Sequence, residues 1–378
     1  MSMNKNDKDV HDQENNEIKK EHTFWQTQPV EVGDDNCVIE KKCEIVEKSI
    51  VLPKYFKFST LDVKNELHAV YEFLKENYVE DGHSKFRLLY SKEHLLWQLL
   101  SPGFKNEYAV TIKYKNIIKG LIFATEKNIK INGKEQKMAI VNFLCLDKQL
   151  RNKRLSPVMI SEIRRRINYN NIISAIFTAG QDLPFKLTQV KYYHYLIDIH
   201  FLNKIGFCDE TFLSLKYNLS IGLNTRELKE EDFDQVKILY DRDMKNKKIY
   251  EIMDQEMFRY NFLKKKNVVY SYVKEEGGKV ISFGSFYILS TTAIETNQEI
   301  PCAYLYMING DKKYEMVKSL IELSKIEGCK MFNTTDIFFN EEELLELGFC
   351  KGDGKLNYYL FNYKASPINP NEVYYTIP

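Results

Sequence analysis

Met138-Ala-Ile-Val-Asn-Phe-Leu-Cys-Leu146, followed by Lys148-Gln-Leu-Arg-Asn-Lys-Arg-Leu-Ser-Pro157, is the stretch on which the fold turns. The first part is too apolar for a strand with one wet face and belongs inside a sheet. The second part is a basic turn. It ends in Ser156, a suitable helix cap, and Pro157, suited to the first helical position. The helix it opens carries Met159, Ile160, Ile163 and Ile167 on one side. A further strand over Ile172 to Thr178 ends in Ala179-Gly180. Upstream, Ala109–Tyr114 and Gly120–Ala124 flank a lysine-asparagine turn and read as a hairpin.

The same order recurs in the second half. Val268–Val273 and Val280–Phe286 flank Glu276-Gly-Gly278, Ala303–Ile308 is a buried strand, Tyr314–Glu327 is a helix, and Lys330–Asn333 is a strand. Both halves are expected to close on a strand after a Gly-Phe-Cys run. Ile205-Gly-Phe-Cys208 leads to Phe212–Tyr217, and Leu347-Gly-Phe-Cys350 leads to Leu356–Asn362. This is an internal duplication. The order resembles the acetyltransferase-like (GNAT) plan. The expected fold is therefore α/β with a mixed sheet, two GNAT-like halves forming one compact double unit. The halves are placed at 22–215 and 216–378, behind a polar tail over 1–21 that cannot offset its ordering entropy.

Before the first hairpin, Phe24-Trp25 ahead of Gln28-Pro29 reads as an extended, anchored segment. Leu67, Val70, Tyr71 and Leu74 mark a helix, with Ser59-Thr-Leu-Asp62 as its cap. A loop follows over 77–82, then a short helix over 92–100 between Ser91 and Pro102-Gly103.

Composition excludes several classes. With 54 basic against 53 acidic residues, net +1, there is no global field to drive nucleic-acid binding. The seven cysteines form no CxxC pair, which suits reduced thiols and a cytoplasmic protein. There is no HExxH and the histidines are scattered, so no metal is expected. No apolar run reaches the ~18 residues of a membrane span. A monomer is expected, with ribosome or partner contact as one role for the tail.

The strand-to-helix junction of the first copy carries Arg151, Lys153 and Arg154 beside a helix N-terminus. Unpaired N–H groups and guanidinium forks suit a pyrophosphate and a ribose phosphate. A solvated basic turn is the other reading. The matching junction of the second copy, Asp311-Lys-Lys-Tyr-Glu315, has two carboxylates and no arginine, and is the poorer cradle.

Several stretches resemble the N-myristoyltransferase family, in family order and from about residue 22 to the end. They are Phe24–Val30, Asn77–Asp81 with Phe86-Arg87 and Tyr90-Ser91, Asn142–Cys145, Leu150–Val158, Thr178–Gly180 with Leu183-Pro184, Tyr192–His194, and Gly352–Gly354 with Tyr358–Leu360. The resemblance implies that the first half binds myristoyl-CoA and the second supplies most of a groove for the N-terminal glycine peptides of client proteins. It implies cofactor contacts at His22, Thr23, Phe24, Trp25, Phe143 and Leu144, and phosphate contacts at Arg151, Asn152, Lys153, Arg154, Leu155 and Ser156. The chemistry implied is direct attack of a glycine amine on a thioester. Backbone N–H groups of Phe143 and Leu144, where the strand should open, form the oxyanion hole. The carboxylate of Pro378 serves as base. Asn142 and Thr178 steer the amine. Glu80 and Asp81 suit a basic peptide residue; Tyr192, His194, Asp353 and Gly354 line the groove. No acyl-enzyme is implied, so Cys145 is read as a small core residue.

The sequence departs from the family at several points. Glu31 follows Val30 where proline is usual, Tyr193 replaces a tryptophan, and the acidic loop Glu80–His83 is short of carboxylates. Tyr374 stands where glycine is common and is expected to reshape the approach of the terminus. Two other readings stay open: a GNAT-type acetyltransferase, and a catalytically silent acyl-CoA-binding protein.

Overall fold

The computed structural model describes residues 23–41, 48–214 and 225–377. The tail over 1–21, the boundary at 215/216 and the end residues His22 and Pro378 lie outside the described residues.

The first half contributes β1 (Phe56–Thr60), helices α1 (Val63–Asn77) and α2 (Lys92–Leu99), the hairpin β2 (Ala109–Tyr114) and β3 (Ile117–Ile131), then β4 (Lys134–Leu146). Helix α3 (Leu155–Asn168), β5 (Ala175–Ala179), β6 (Lys186–Leu196) and α4 (Ile199–Lys204) follow. The second half adds α5 (Phe233–Met244), β7 (Ile249–Glu251), α6 (Gln255–Phe262), and the hairpin β8 (Val269–Glu276) and β9 (Lys279–Ile288). It ends with β10 (Cys302–Gly310), α7 (Lys313–Ile326), β11 (Met331–Thr335), α8 (Glu341–Glu346), β12 (Cys350–Phe361) and β13 (Val373–Tyr374).

The repeat is visible residue by residue. In one copy β4 pairs in parallel with β5 through Ala139↔Ala175 to Val141↔Phe177; in the other, β10 pairs with β11 through Cys302↔Met331 to Tyr304↔Asn333. Each central strand carries a bulge at the same place. Phe123↔Asn142 shifts to Leu121↔Cys145 in the first copy, and Phe286↔Leu305 shifts to Ser285↔Met307 in the second. A glycine beside each bulge lets the helix above approach. A Cβ on Gly120 would lie 2.8 Å from Met159 Sδ, and one on Gly284 would lie 2.6 Å from Met316 Cγ.

The copies are joined by crossed strands. β12 of the second half pairs with β5 of the first, β6 of the first half pairs with β11 of the second, and β6 and β12 pair with each other. One continuous sheet results, in the order β13-β7-β3-β4-β5-β12-β6-β11-β10-β9-β8.

Several local expectations are corrected. The chain forms no strand at 212–214; Glu210–Ser214 is a 3-10 turn, and 215–224 lies outside the described residues. The strand that joins the halves is β6, which lies before Gly206-Phe207 rather than after it. Ser59 and Thr60 belong to β1, and α1 is capped by Asp62, whose carboxylate accepts from Asn65 N–H. Helix α3 begins one residue before Ser156. Its cap position is Arg154, in the left-handed region (φ 58°), so Pro157 is its third residue. Trp25–Thr27 makes one 3-10 turn before the chain extends at Gln28.

Candidate active site

The bulge in β4 places the proposed oxyanion donors. Phe143 has φ 54°, a costly conformation for a bulky residue, and its ring is buried against Tyr78, Tyr90 and Phe123. That packing holds the strain. The bulge takes Phe143 and Leu144 out of the ladder with β3. The Phe143 N–H is satisfied by its neighbour's side chain, Asn142 Oδ1 at 2.8 Å. The β4–β5 pairing stops at Val141↔Phe177, one residue before Asn142 and Thr178, where the strands part.

The C-terminal segment reaches this opening from the other half. Val373 and Tyr374 add β13 beside β7. Tyr358 Oη donates to Tyr375 O at 2.9 Å, and Thr376 Oγ1 donates to Tyr306 O, within the bulge of β10, at 3.1 Å. Tyr374 lies in the core rather than across the path. Its hydroxyl accepts from Ile308 N–H at 3.1 Å and donates to Ile308 O. Thr376 and Ile377 line one partly open cavity with Asn142, Phe123, Trp97 and Tyr306.

The basic turn occupies the other side of the bulge. Arg151 through Arg154 are exposed, Leu155 and Ser156 are half-buried, and among the described residues none of Arg151, Lys153 and Arg154 pairs with a carboxylate. Asn152 (φ 64°) and Arg154 are both left-handed. Such a turn at an uncapped helix start turns backbone N–H groups outward, a concavity for an anion. The second copy fills its own version. Its junction is only Asp311-Lys312, and Asp243 of α5 closes it, accepting from Gly310 N–H at 3.2 Å and pairing with Lys313 at 2.8 Å.

Thr23 is exposed, and Phe24 and Trp25 are half-buried; Trp25 stacks on Phe177 at 5.4 Å, next to Thr178. Tyr192 and His194 on β6 meet the three-residue bulge Gly352–Gly354 in β12. A Cβ on Gly352 would fall 2.3 Å from His194 Nε2, so only glycine fits. His194 Nδ1 lies 2.7 Å from Asn333 Oδ1, and burial lowers its pKa. Asp353 and Gly354 are exposed at the tip.

The acidic pair is less open than its sequence suggests. Glu80 bonds both Lys148 and Arg87 at 2.6 Å; Lys148 is the largest influence on its pKa, burial pushes back next, and Arg87 adds to the lowering, which brings it down to about 2. Asp81 accepts from Phe86 N–H at 2.6 Å and His83 N–H at 3.2 Å, closing its own loop. Cys145 is buried, and burial pushes its thiol up to about 12, which leaves it a poor nucleophile. Among the described residues no cluster of three metal-ligating side chains occurs, and no helix is long and apolar enough to cross a membrane.

Residues 38–190 match the model of the myristoyl-CoA:protein N-myristoyltransferase N-terminal domain, and residues 213–374 match that of its C-terminal domain. The chain belongs to the N-myristoyltransferase family. It is 34% identical to the glycylpeptide N-tetradecanoyltransferase of Plasmodium falciparum, over 94% of this chain and 93% of that protein. It is 33% identical to that of Saccharomyces cerevisiae, over 97% of this chain and 91% of that protein. A crystal structure of the S. cerevisiae N-myristoyltransferase with bound myristoyl-CoA superposes with a TM-score of 0.86 at 32% identity, covering 93% of this chain and 94% of that one. The chain is thus an acyltransferase of this family, with the family's mixed-sheet fold. Sequence reasoning missed Thr376, the anchoring role of Tyr374, and Asp243. Each acts through a partner far away in the chain.

Proposed function

We propose that this protein transfers a myristoyl group from myristoyl-CoA to the N-terminal glycine amine of client proteins by direct attack on the thioester. One observation carries this reading: Asn142, beside the bulged Phe143, lines the same cavity as Thr376 and Ile377. Residues 22–215 bind acyl-CoA, with the phosphates on Arg151–Ser156 and further contacts from His22, Thr23, Phe24 and Trp25. Residues 216–378 supply the terminal carboxylate and much of the peptide groove, where Asp353 and Gly354 close over Tyr192 and His194.

The thioester oxygen takes the N–H groups of Phe143 and Leu144. In doing so it displaces Asn142 Oδ1 from the Phe143 N–H, which frees that oxygen to accept from the amine. Acyl-CoA entry thereby completes the amine site, which favours binding of acyl-CoA first. The carboxylate of Pro378 removes one proton from the glycine ammonium, whose pKa is about 8. The amine lone pair forms the C–N bond, negative charge gathers on the oxygen, and the C–S bond breaks. The second amine proton is lost as the amide forms, and coenzyme A leaves as its thiol. A preorganised N–H donor of this kind is worth ~3 kcal/mol. Asn142 and Thr178 hold the amine in line. We place the protein in the cytoplasm as a monomer, with ribosome contact through the residue 1–21 tail.

The test is to extend the chain beyond Pro378 by a few residues. Transfer of myristate to a glycine-serine peptide is expected to fall at least ~100-fold, a loss within the range for a general base, while myristoyl-CoA affinity is retained. Unchanged turnover would remove the carboxylate from the reaction.

A further inference from the structure

We infer that the buried ion pair Lys127–Glu251 is the floor of the acyl-chain pocket and limits the chain length this protein takes. The inference rests on the acyl-CoA reading of the first half given above.

Direction along the sheet comes first. The basic turn lies beyond the C-terminal end of β4, and the bulge at Phe143-Leu144 lies before it. An acyl chain leaving the bulge away from the phosphates therefore runs back along β3 and β4. Alternate residues of these strands share a face. Phe123, Thr125 and Lys127 of β3, with Ile140 and Asn142 of β4, all line the cavity. The register Phe123↔Asn142, Thr125↔Ile140, Lys127↔Met138 sets them in sequence away from the bulge. At ~3.3 Å per residue, Lys127 stands about 13 Å from the level of Asn142. That is shorter than a fully extended tetradecanoyl chain, which must bend or stop there.

What stands at that end is charged. Glu251, from β7, brings Oε1 to 3.2 Å from Lys127 Nζ, and both side chains are less than a tenth exposed. Glu251 Oε1 makes no well-aligned hydrogen bond, and Lys127 Nζ also lies 3.0 Å from Met257 Sδ. Burial raises the Glu251 pKa, with Lys127 as the opposing influence. A terminal methyl pressed against this pair strips residual hydration from two ions and returns no hydrogen bond. Each methylene buried before that point strengthens binding about fourfold; beyond it the gain ends.

The test uses binding, so it does not depend on the base. Affinities of S-alkyl-CoA thioethers from octyl to hexadecyl, which cannot be transferred, are measured by titration calorimetry. For the wild-type chain the gain per methylene is expected to level off before hexadecyl. The double variant Lys127→Met with Glu251→Leu, an apolar floor of similar volume, is expected to continue at about fourfold per methylene past that point. Glu251→Gln alone leaves an unpaired buried ammonium and is expected to weaken the longest chains most. Profiles that are the same for wild type and double variant would overturn the floor, while the transferase reading stands. Should the double variant fail to fold, an unchanged profile for Glu251→Gln does the same. If no thioether of any length binds, both readings fall.

Discussion

Tyr374 is the residue whose sequence position looked most disruptive. In the fold its ring packs against Phe338 at 5.3 Å and Tyr240 at 6.2 Å, and its hydroxyl satisfies both backbone groups of Ile308. Tyr374→Phe leaves those groups buried and unpaired, at a cost of about 1–3 kcal/mol. Because the same segment carries Thr376 and Ile377 into the cavity, turnover is expected to fall about tenfold or more while acyl-CoA affinity holds. Steady-state kinetics beside a binding titration separates the two. Glu80 yields a pH prediction. Its folded pKa of about 2 lies below the ordinary 4.5, so its contribution to stability is complete above about pH 4.5 and is lost as pH falls through about 2. Glu80→Gln is therefore expected to be less stable than wild type at neutral pH, with the gap closing in acid. Urea unfolding at several pH values checks this.

At the scale of elements, helix α3 and its basic turn are where sequence and structure agree best in kind. Alanine at both Arg151 and Arg154 is expected to weaken acyl-CoA binding about 10–100-fold and to flatten its salt dependence, with little change in melting temperature. A titration at two ionic strengths measures both. The hairpins, β4, β10 and the two long helices were legible because their apolar runs and glycine turns act locally. β6 was not. Thr188, Gln189, Lys191 and His194 break its alternation, because its polar side chains bond residues of the other half: Gln189 to Asn357 at 2.8 Å, and His194 to Asn333. The bulge was foreseen only through family resemblance, since nothing in Asn-Phe-Leu-Cys asks for a left-handed phenylalanine. The Arg154 cap was hidden by the more usual candidate next to it, Ser156. Of the candidate site, only the basic turn could be read in the chain itself; Asn142 came through the family resemblance. The filling of the second copy's anion position by Asp243 could not, because α5 and β10 are brought together only by the tertiary fold.

At the scale of the molecule, the crossed strands decide how the protein comes apart. Neither half owns the strand that completes its sheet, so calorimetry is expected to show one cooperative unfolding transition; two separable transitions would show that the halves stand alone. The same crossing bears on biosynthesis. β5 meets its neighbour only when residues 350–361 exist, some 180 positions later in the chain. At 5–20 residues per second, that wait lasts about ten to forty seconds. Through that interval the nascent first half carries a bare sheet edge, open to pairing with any passing strand. Emergence of β12, rather than completion of the first half, is the moment at which this sheet can close.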